Sequence, residues 1–256
     1  MAVAATDLVA YAAINVAGDP PGPTSDTTTM GGARDPDYQV IFTDLASNDD
    51  VEVISAAAGD TTQKVKVFAR NAAGAIVNEE KTLNGTTAVI FSTISTIQRI
   101  LSISMDSNAT GIVTVSRNNA GSPGTTIFAI PVGQRGCIRL FRDAASEASG
   151  TTRYEKIFLQ NDHATLSLLN AVVKQSADAS GKITTALATS INDTETTSNR
   201  KTAPSGGLTF DDLDKNVVGT NLAAAGRQGV WLKLTLAADA SPIDSTYTIE
   251  LSGTTV

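Results

Sequence analysis

Covalent chemistry needs a nucleophile, a base to activate it and a group to hold developing charge, and this chain offers few residues for those roles. It has a single histidine, His163, within Asn161-Asp162-His163-Ala164-Thr165. Any Ser/His/Asp or Cys/His device would have to use that residue, and its polar neighbours predict a turn instead. The single cysteine, Cys137, stands in Gly136-Cys137-Ile138-Arg139-Leu140. A lone cysteine excludes an intramolecular disulfide and a multi-cysteine zinc site, and its apolar setting predicts a buried structural thiol. There is no G-x-S-x-G elbow and no glycine-rich phosphate loop between a strand and a helix. Asp49-Asp50, and Asp211-Asp212 with Asp214, could donate oxygens to calcium, but neither has the spacing of a calcium loop. Asp211-Asp212 also fits the first turn of a short helix over 210–215, where negative charge is favoured. A carboxylate pair for glycoside cleavage would sit beside aromatic platforms, and the single tryptophan, Trp231, lies in mid-strand, where core packing is expected. The expectation is a chain that is not an enzyme, with no catalytic residues, no cofactor-binding residues and no metal site.

Composition gives the same direction. The 256 residues suit two domains of ordinary size. Hydrophobic residues make up 41%, charged residues only 18% and aromatics 5%. Thr, Ser, Ala, Gly and Asn take the place of charge, and such side chains are ordered at a contact with little entropy loss. An ordinary extracellular β-protein would share that composition. The net charge of −7 argues against coating nucleic acid, which needs clustered Lys and Arg. The densest basic group, Arg135, Arg139 and Arg142 followed by Arg153 and Lys156, is diluted by Asp143, Glu147 and Glu155, and reads as a solvated or interface face. The apolar runs fall short of a membrane span, and the first residues lack the basic start of a signal peptide. Assembly in a cytoplasm, without a membrane, is expected.

The elements that would position any site are short strands. Residues 1–37 read as an N-terminal segment, strand or weak helix, leading into an extended arm over 18–37. That arm holds Pro20, Pro21, Pro23 and Pro36 among glycines and threonines, which exclude helix and central strand. Residues 38–143 read as a first β domain, with strands over 38–45, 51–57, 63–70, 76–83, 86–91, 97–105, 112–117, 125–132 and 137–141. The 63–70 segment sets Val65, Val67 and Ala69 against Lys64, Lys66, Phe68 and Arg70 in strict alternation. Asn84-Gly85 predicts a two-residue hairpin turn. A small polar boundary over 143–152 leads to a second β domain, 153–256. Its strands are expected over 153–160, 166–175, 229–237 and 245–253, the last two as a hairpin; 182–189 fits a strand or a helical turn, and 190–207 a long polar loop. Strands every eight to twelve residues predict an all-β protein of two antiparallel β-sandwich domains, Ig-like or jelly-roll-like, with an extended Pro/Gly-rich N-terminal arm.

Six stretches, three in each half, resemble tailed-bacteriophage virion structural proteins. In the first half these are Thr82-Leu83-Asn84-Gly85-Thr86 after a charged strand, the Ile97 to Ile103 strand, and the Thr110 to Val115 strand. In the second half, Tyr154 to Asn161, Asn199 to Phe210 and Gly226 to Ala240 are similar to patterns in the same group. The resemblance covers roughly residues 60–256. It implies a particle component located in the virion and assembled in the host cytoplasm, without an active site. Within that group the small neutral surface favours a capsid decoration or cement protein. Its expected partners are the major capsid protein or other virion proteins and further copies of itself, in a trimer, with no direct nucleic-acid contact. A tail, neck or baseplate component is the alternative, and a carbohydrate-binding or host-adhesion module a further one.

Overall fold

The structure, a computed structural model, describes residues 2–15, 29–40, 43, 45, 49–119, 122–142, 148–178, 180–240 and 246–255. After a single 3-10 turn at Ala5–Asp7, the described chain is built of strands. In order these are β1 (Leu8–Ala13), β2 (Met30–Gly31), β3 (Arg34–Gln39), β4 (Val51–Ser55), β5 (Lys64–Asn71), β6 (Ile76–Thr82), β7 (Val89–Phe91), β8 (Ile97–Met105) and β9 (Val113–Asn119). They continue as β10 (Ser122–Ile130), β11 (Gly136–Ile138), β12 (Thr151–Asn161), β13 (Leu169–Asp178), β14 (Ile183–Ile191), β15 (Thr196–Thr197), β16 (Lys215–Asn216), β17 (Arg227–Leu236) and β18 (Tyr247–Thr254). The protein is all-β. It divides into two compact units: Pro36–Arg139, and Met1–Asp35 together with Leu140–Val256.

The Pro36–Arg139 unit carries strands of two sheets. One has the order β3-β11-β8-β5-β6, with β3 and β11 parallel (Tyr38 opposite Gly136) and the rest antiparallel. The other has the order β10-β9-β4-β7. Both feed one core: Val65, Val67, Ile100 and Ile103 from the first sheet meet Val51, Val53, Val113, Val115 and Phe91 from the second. Alternation decides which side chains enter it. In β5, Val65, Val67 and Ala69 are fully buried while Lys64 stands exposed. Each such Val or Ile is worth about 1.5–3 kcal/mol when fully buried.

Asn84-Gly85 does form a tight turn. Thr87 N donates to Asn84 O at 3.0 Å, and Gly85 takes φ +55°. It is not a hairpin within one sheet, because β6 pairs with β5 and β7 pairs with β4. The turn instead carries the chain from one sheet to the other. The strand expected over 38–45 is seen earlier, at Arg34–Gln39, and residues 41, 42 and 44 lie outside the described ones.

In the other unit, β14-β17-β12-β1 form consecutive antiparallel neighbours. β12 and β17 hold an unbroken register from Thr151 opposite Leu236 to Gln160 opposite Arg227. β16-β13-β18 form a three-stranded sheet, and β15 pairs with β2. The N-terminal segment settles as strand, with β1 on β12. Of the arm expected over 18–37, residues 18–28 lie outside the described ones, and β2 and the start of β3 fall within the rest. Within the expected boundary, residues 143–147 also lie outside, and β12 has begun by Thr151. The expected hairpin of 229–237 with 245–253 does not form. Both edges of β17 are taken by β12 and β14, so β18 pairs with β13. The segment at 182–189 is strand. The short helix expected over 210–215 is absent, because the Asp211 backbone is bonded to Thr185 in both directions, at 3.0 and 3.2 Å.

The turn glycine gives a stability test. A Cβ at Gly85 would lie 2.5 Å from Ala58 O, whereas Gly74, at φ +82°, has nothing within 4 Å of the same position. Gly74→Ala should cost the backbone term alone, about 1–2 kcal/mol. Gly85→Ala should cost more, about 2–4 kcal/mol in urea denaturation, since the added methyl also meets a carbonyl.

Candidate functional site

The side chains with the greatest chemical potential gather on β12. Its residues alternate between two faces, and from Glu155 to Asn161 both faces are buried. Glu155 and Lys156 are adjacent and both fully buried, so two opposite charges leave one strand in opposite directions. An unpaired buried charge is prohibitively costly, and each of these has a partner from the segment after β14.

Lys156 lies opposite Trp231 in the β12–β17 register. Its ammonium sits 5.0 Å from the Phe158 ring centroid and 5.4 Å from that of Trp231. It pairs with the Asp193 carboxylate and donates to Gly32 O at 3.2 Å, Glu195 O at 3.2 Å and Asp193 O at 3.4 Å. Burial pushes its ionisation below the usual lysine range, and the Asp193 carboxylate pulls it back. Asp193 Oδ1 also accepts from Glu195 N at 3.1 Å, which fixes the carboxylate in its loop. Glu155, on the other face, is paired with Arg200 and accepts from Phe141 N at 2.8 Å.

Residues 192–200 therefore form a strap over β12. Asn192 N donates to Arg227 O at 3.0 Å, and Gly32 N donates to Glu195 O at 2.8 Å. Thr196 and Thr197 pair with Gly31 and Met30. Tyr154 N donates to Arg200 O at 2.7 Å, so the strap covers the part of the β12 edge that precedes its β1 pairing. Gly31 lets the strap's partner approach the indole: a Cβ there would lie 2.5 Å from Trp231 Cη2.

A second polar centre lies in the Pro36–Arg139 unit. Asp60 is buried, and its carboxylate accepts from Ser55 Oγ (2.6 Å), Thr110 N (2.9 Å), Thr110 Oγ1 (2.8 Å) and Gly111 N (3.0 Å). Its backbone carbonyl accepts from Gly85 N at 2.8 Å. Three loops thus converge on one residue. The Ser55 hydroxyl, and then the Thr110 amide, hold the Asp60 carboxyl far below the usual carboxylate range.

The residues singled out in the sequence fall elsewhere and are tied up locally. His163 Nδ1 accepts from Thr165 N at 3.1 Å and Leu166 N at 2.9 Å, which makes it the cap of its own turn. Asp49 pairs with Arg117, Asp211 with Lys215, and Asp214 with Lys174 at 3.5 Å. Among the described residues no group of three or more His, Cys, Asp or Glu is placed to hold a metal. Cys137 is fully buried, and burial pushes its thiol up out of the nucleophilic range. Trp231 is fully buried too. The basic group 135–156, expected as a solvated or interface face, is split: Arg135 and Arg139 stay partly exposed and the other three do not. Arg142, Arg153 and Lys156 are buried, Arg139 Nε donates to Ile100 O at 2.7 Å, and Arg135 lies 3.6 Å from Asp37. Glu155, Lys156, Asp193 and Arg200 escaped sequence reasoning as a set. The one available signal was the pair of charges, Glu155 and Lys156, set directly against the apolar run Ile157-Phe158-Leu159. Among the described residues no helix is long and apolar enough to cross a membrane. Comparison with protein-family models, with curated proteins and with solved structures gave no match.

Two outcomes follow for these centres. Arg200→Leu leaves Glu155 charged and buried, and should cost about 3–5 kcal/mol in chemical denaturation; adding Glu155→Met should restore much of the loss. For Asp60 the folded-state ionisation is depressed, so its contribution is fully present above the unfolded value, near pH 4, and is lost as pH falls below it. The Tm advantage of wild type over Asp60→Asn should hold from pH 7 to about 4 and shrink in more acid solution.

Proposed function

We propose that this protein is a structural component of a bacteriophage virion, a capsid decoration or cement protein that stabilises the head shell through contacts between subunits. One observation carries this reading: in both units the charged side chains best suited to chemistry are consumed in tying loops to sheets. Glu155, Lys156, Asp193 and Arg200 do so in one unit, and Asp60 in the other. That arrangement suits a part whose work is to hold shape. The resemblance of its strand and turn patterns to tailed-phage virion proteins suggests the particle, and the scarcity of charge suits close contact with neighbours.

In this reading each unit is a β-sandwich, with the shared core of the Pro36–Arg139 unit as the model for both. The proline-rich segment before β2 acts as the arm that reaches a neighbouring subunit. Copies associate as a trimer at a local three-fold axis of the shell, where repetition multiplies weak contacts. No cofactor is needed. A tail, neck or baseplate position is the second assignment within the virion. A glycan-binding module is less well supported, since Trp231 is buried and cannot serve as a surface platform.

The test is to mix the purified protein with heads and with tails of the phage that encodes it, and to sediment each. Saturable co-sedimentation with heads, at a copy number that is a multiple of three, is expected. Binding only to tails, or to neither particle, would overturn the assignment.

A further inference from the structure

The surroundings of Lys156 do more than accommodate a cation. The side chain is fully buried, enclosed by Phe158 and Trp231, with its nitrogen on the Asp193 carboxylate. Backbone bonds fix the loop that carries it: Glu195 N donates to the same Asp193 Oδ1, and Gly32 N to Glu195 O. An amine and a carboxyl group held in contact, the amine fully buried and the carboxyl largely so, are the reactants of an amide bond. Orientation of this kind is worth an effective concentration of roughly 10⁵–10⁸ M. Burial also disfavours the charged ammonium and so brings the nucleophilic neutral amine nearer.

We propose that Lys156 and Asp193 condense to an intramolecular amide that locks the strap permanently to β12. A proton passes from the Lys156 ammonium to the Asp193 carboxylate across their hydrogen bond, leaving a neutral amine and a carboxylic acid. The amine lone pair attacks Asp193 Cγ and forms the C–N bond. A second proton moves from nitrogen to the departing hydroxyl, the C–O bond breaks, and one water leaves. The product is a secondary amide with one remaining N–H, and no oxidant, reductant or external activator takes part. Gly32 O and Glu195 O, already 3.2 Å from Nζ, are placed to accept that N–H. The Glu155–Arg200 pair on the opposite face has no such route, since a guanidinium is not a comparable nucleophile. The inference concerns the chain alone and is independent of where in a particle it assembles.

The experiment is intact mass spectrometry of the purified full chain under denaturing conditions, followed by tryptic digestion and fragment sequencing. The expected mass is that of the sequence less one water. The digest should contain a branched peptide joining Lys156 to Asp193 and show no cleavage after Lys156. Asp193→Ala should run at its full sequence mass with cleavage after Lys156 restored. A wild-type chain of full mass with an unlinked Lys156 peptide overturns the proposal and leaves a buried ion pair. Loss of water without the branched peptide overturns it equally, by placing the dehydration elsewhere. The wild-type digest decides the matter even where the Asp193 variant fails to fold.

Discussion

Two opposite charges at successive positions of one strand, where both its faces are buried, set the terms for the larger unit. Glu155 and Lys156 cannot share a partner, because the pleat sends them to opposite faces of β12. Neither can stay unpaired in a low-dielectric interior. The chain answers with one segment, 192–200, which sends Asp193 to one face and Arg200 to the other while its backbone covers the strand edge at Tyr154. A long polar loop is thereby converted into a fixed part of the fold. β2 is held through the same segment, by the Thr196–Gly31 pairing and by the bond from Gly32 N to Glu195 O.

The Pro36–Arg139 unit meets a different demand with a similar device. Its two sheets share an apolar core, and the connections between them leave backbone amides outside any ladder. The Asp60 carboxylate collects two of those amides, Thr110 and Gly111, along with two hydroxyls, and the Asp60 carbonyl collects Gly85. A buried carboxylate is tolerable there because donors surround it, and the same donors hold it ionised. In each unit, then, a buried charge organises irregular chain around regular chain.

Much of the regular chain was legible in the sequence. β5 opens on the period-two rule, whereas β8, β12 and β17 show as longer apolar runs because much of each is buried on both faces. Val65, Val67 and Ala69 enter the core as expected while Lys64 is exposed and Lys66 half-buried, but Phe68, expected on the polar face, is buried as well. Strand pairing was less legible. The hairpin anticipated between 229–237 and 245–253 rested on nearness in sequence, which cannot reveal that β12 and β14 occupy both edges of β17. Asn84-Gly85 specified a turn but not the sheets it joins, because a tight turn fixes local φ and ψ and leaves the next strand's partner open. The helix anticipated over 210–215 rested on its acidic start and lost to the bridge between Asp211 and Thr185. The site itself was the least legible. Glu155 and Lys156 look like surface charge until both faces of β12 are seen to be covered, and their partners, Arg200 and Asp193, lie far along the chain.

The central claim is that residues 192–200 are a structural part of the fold and not a loop resting on it. Native-state amide hydrogen exchange tests this most directly, at Gly32, Tyr154 and Asn192, whose N–H groups bond across the strap. The account predicts that all three exchange only through the opening that also releases the central amides of β12 and β17, with one shared free energy. Exchange at these three positions far faster than in β12 and β17 would contradict it.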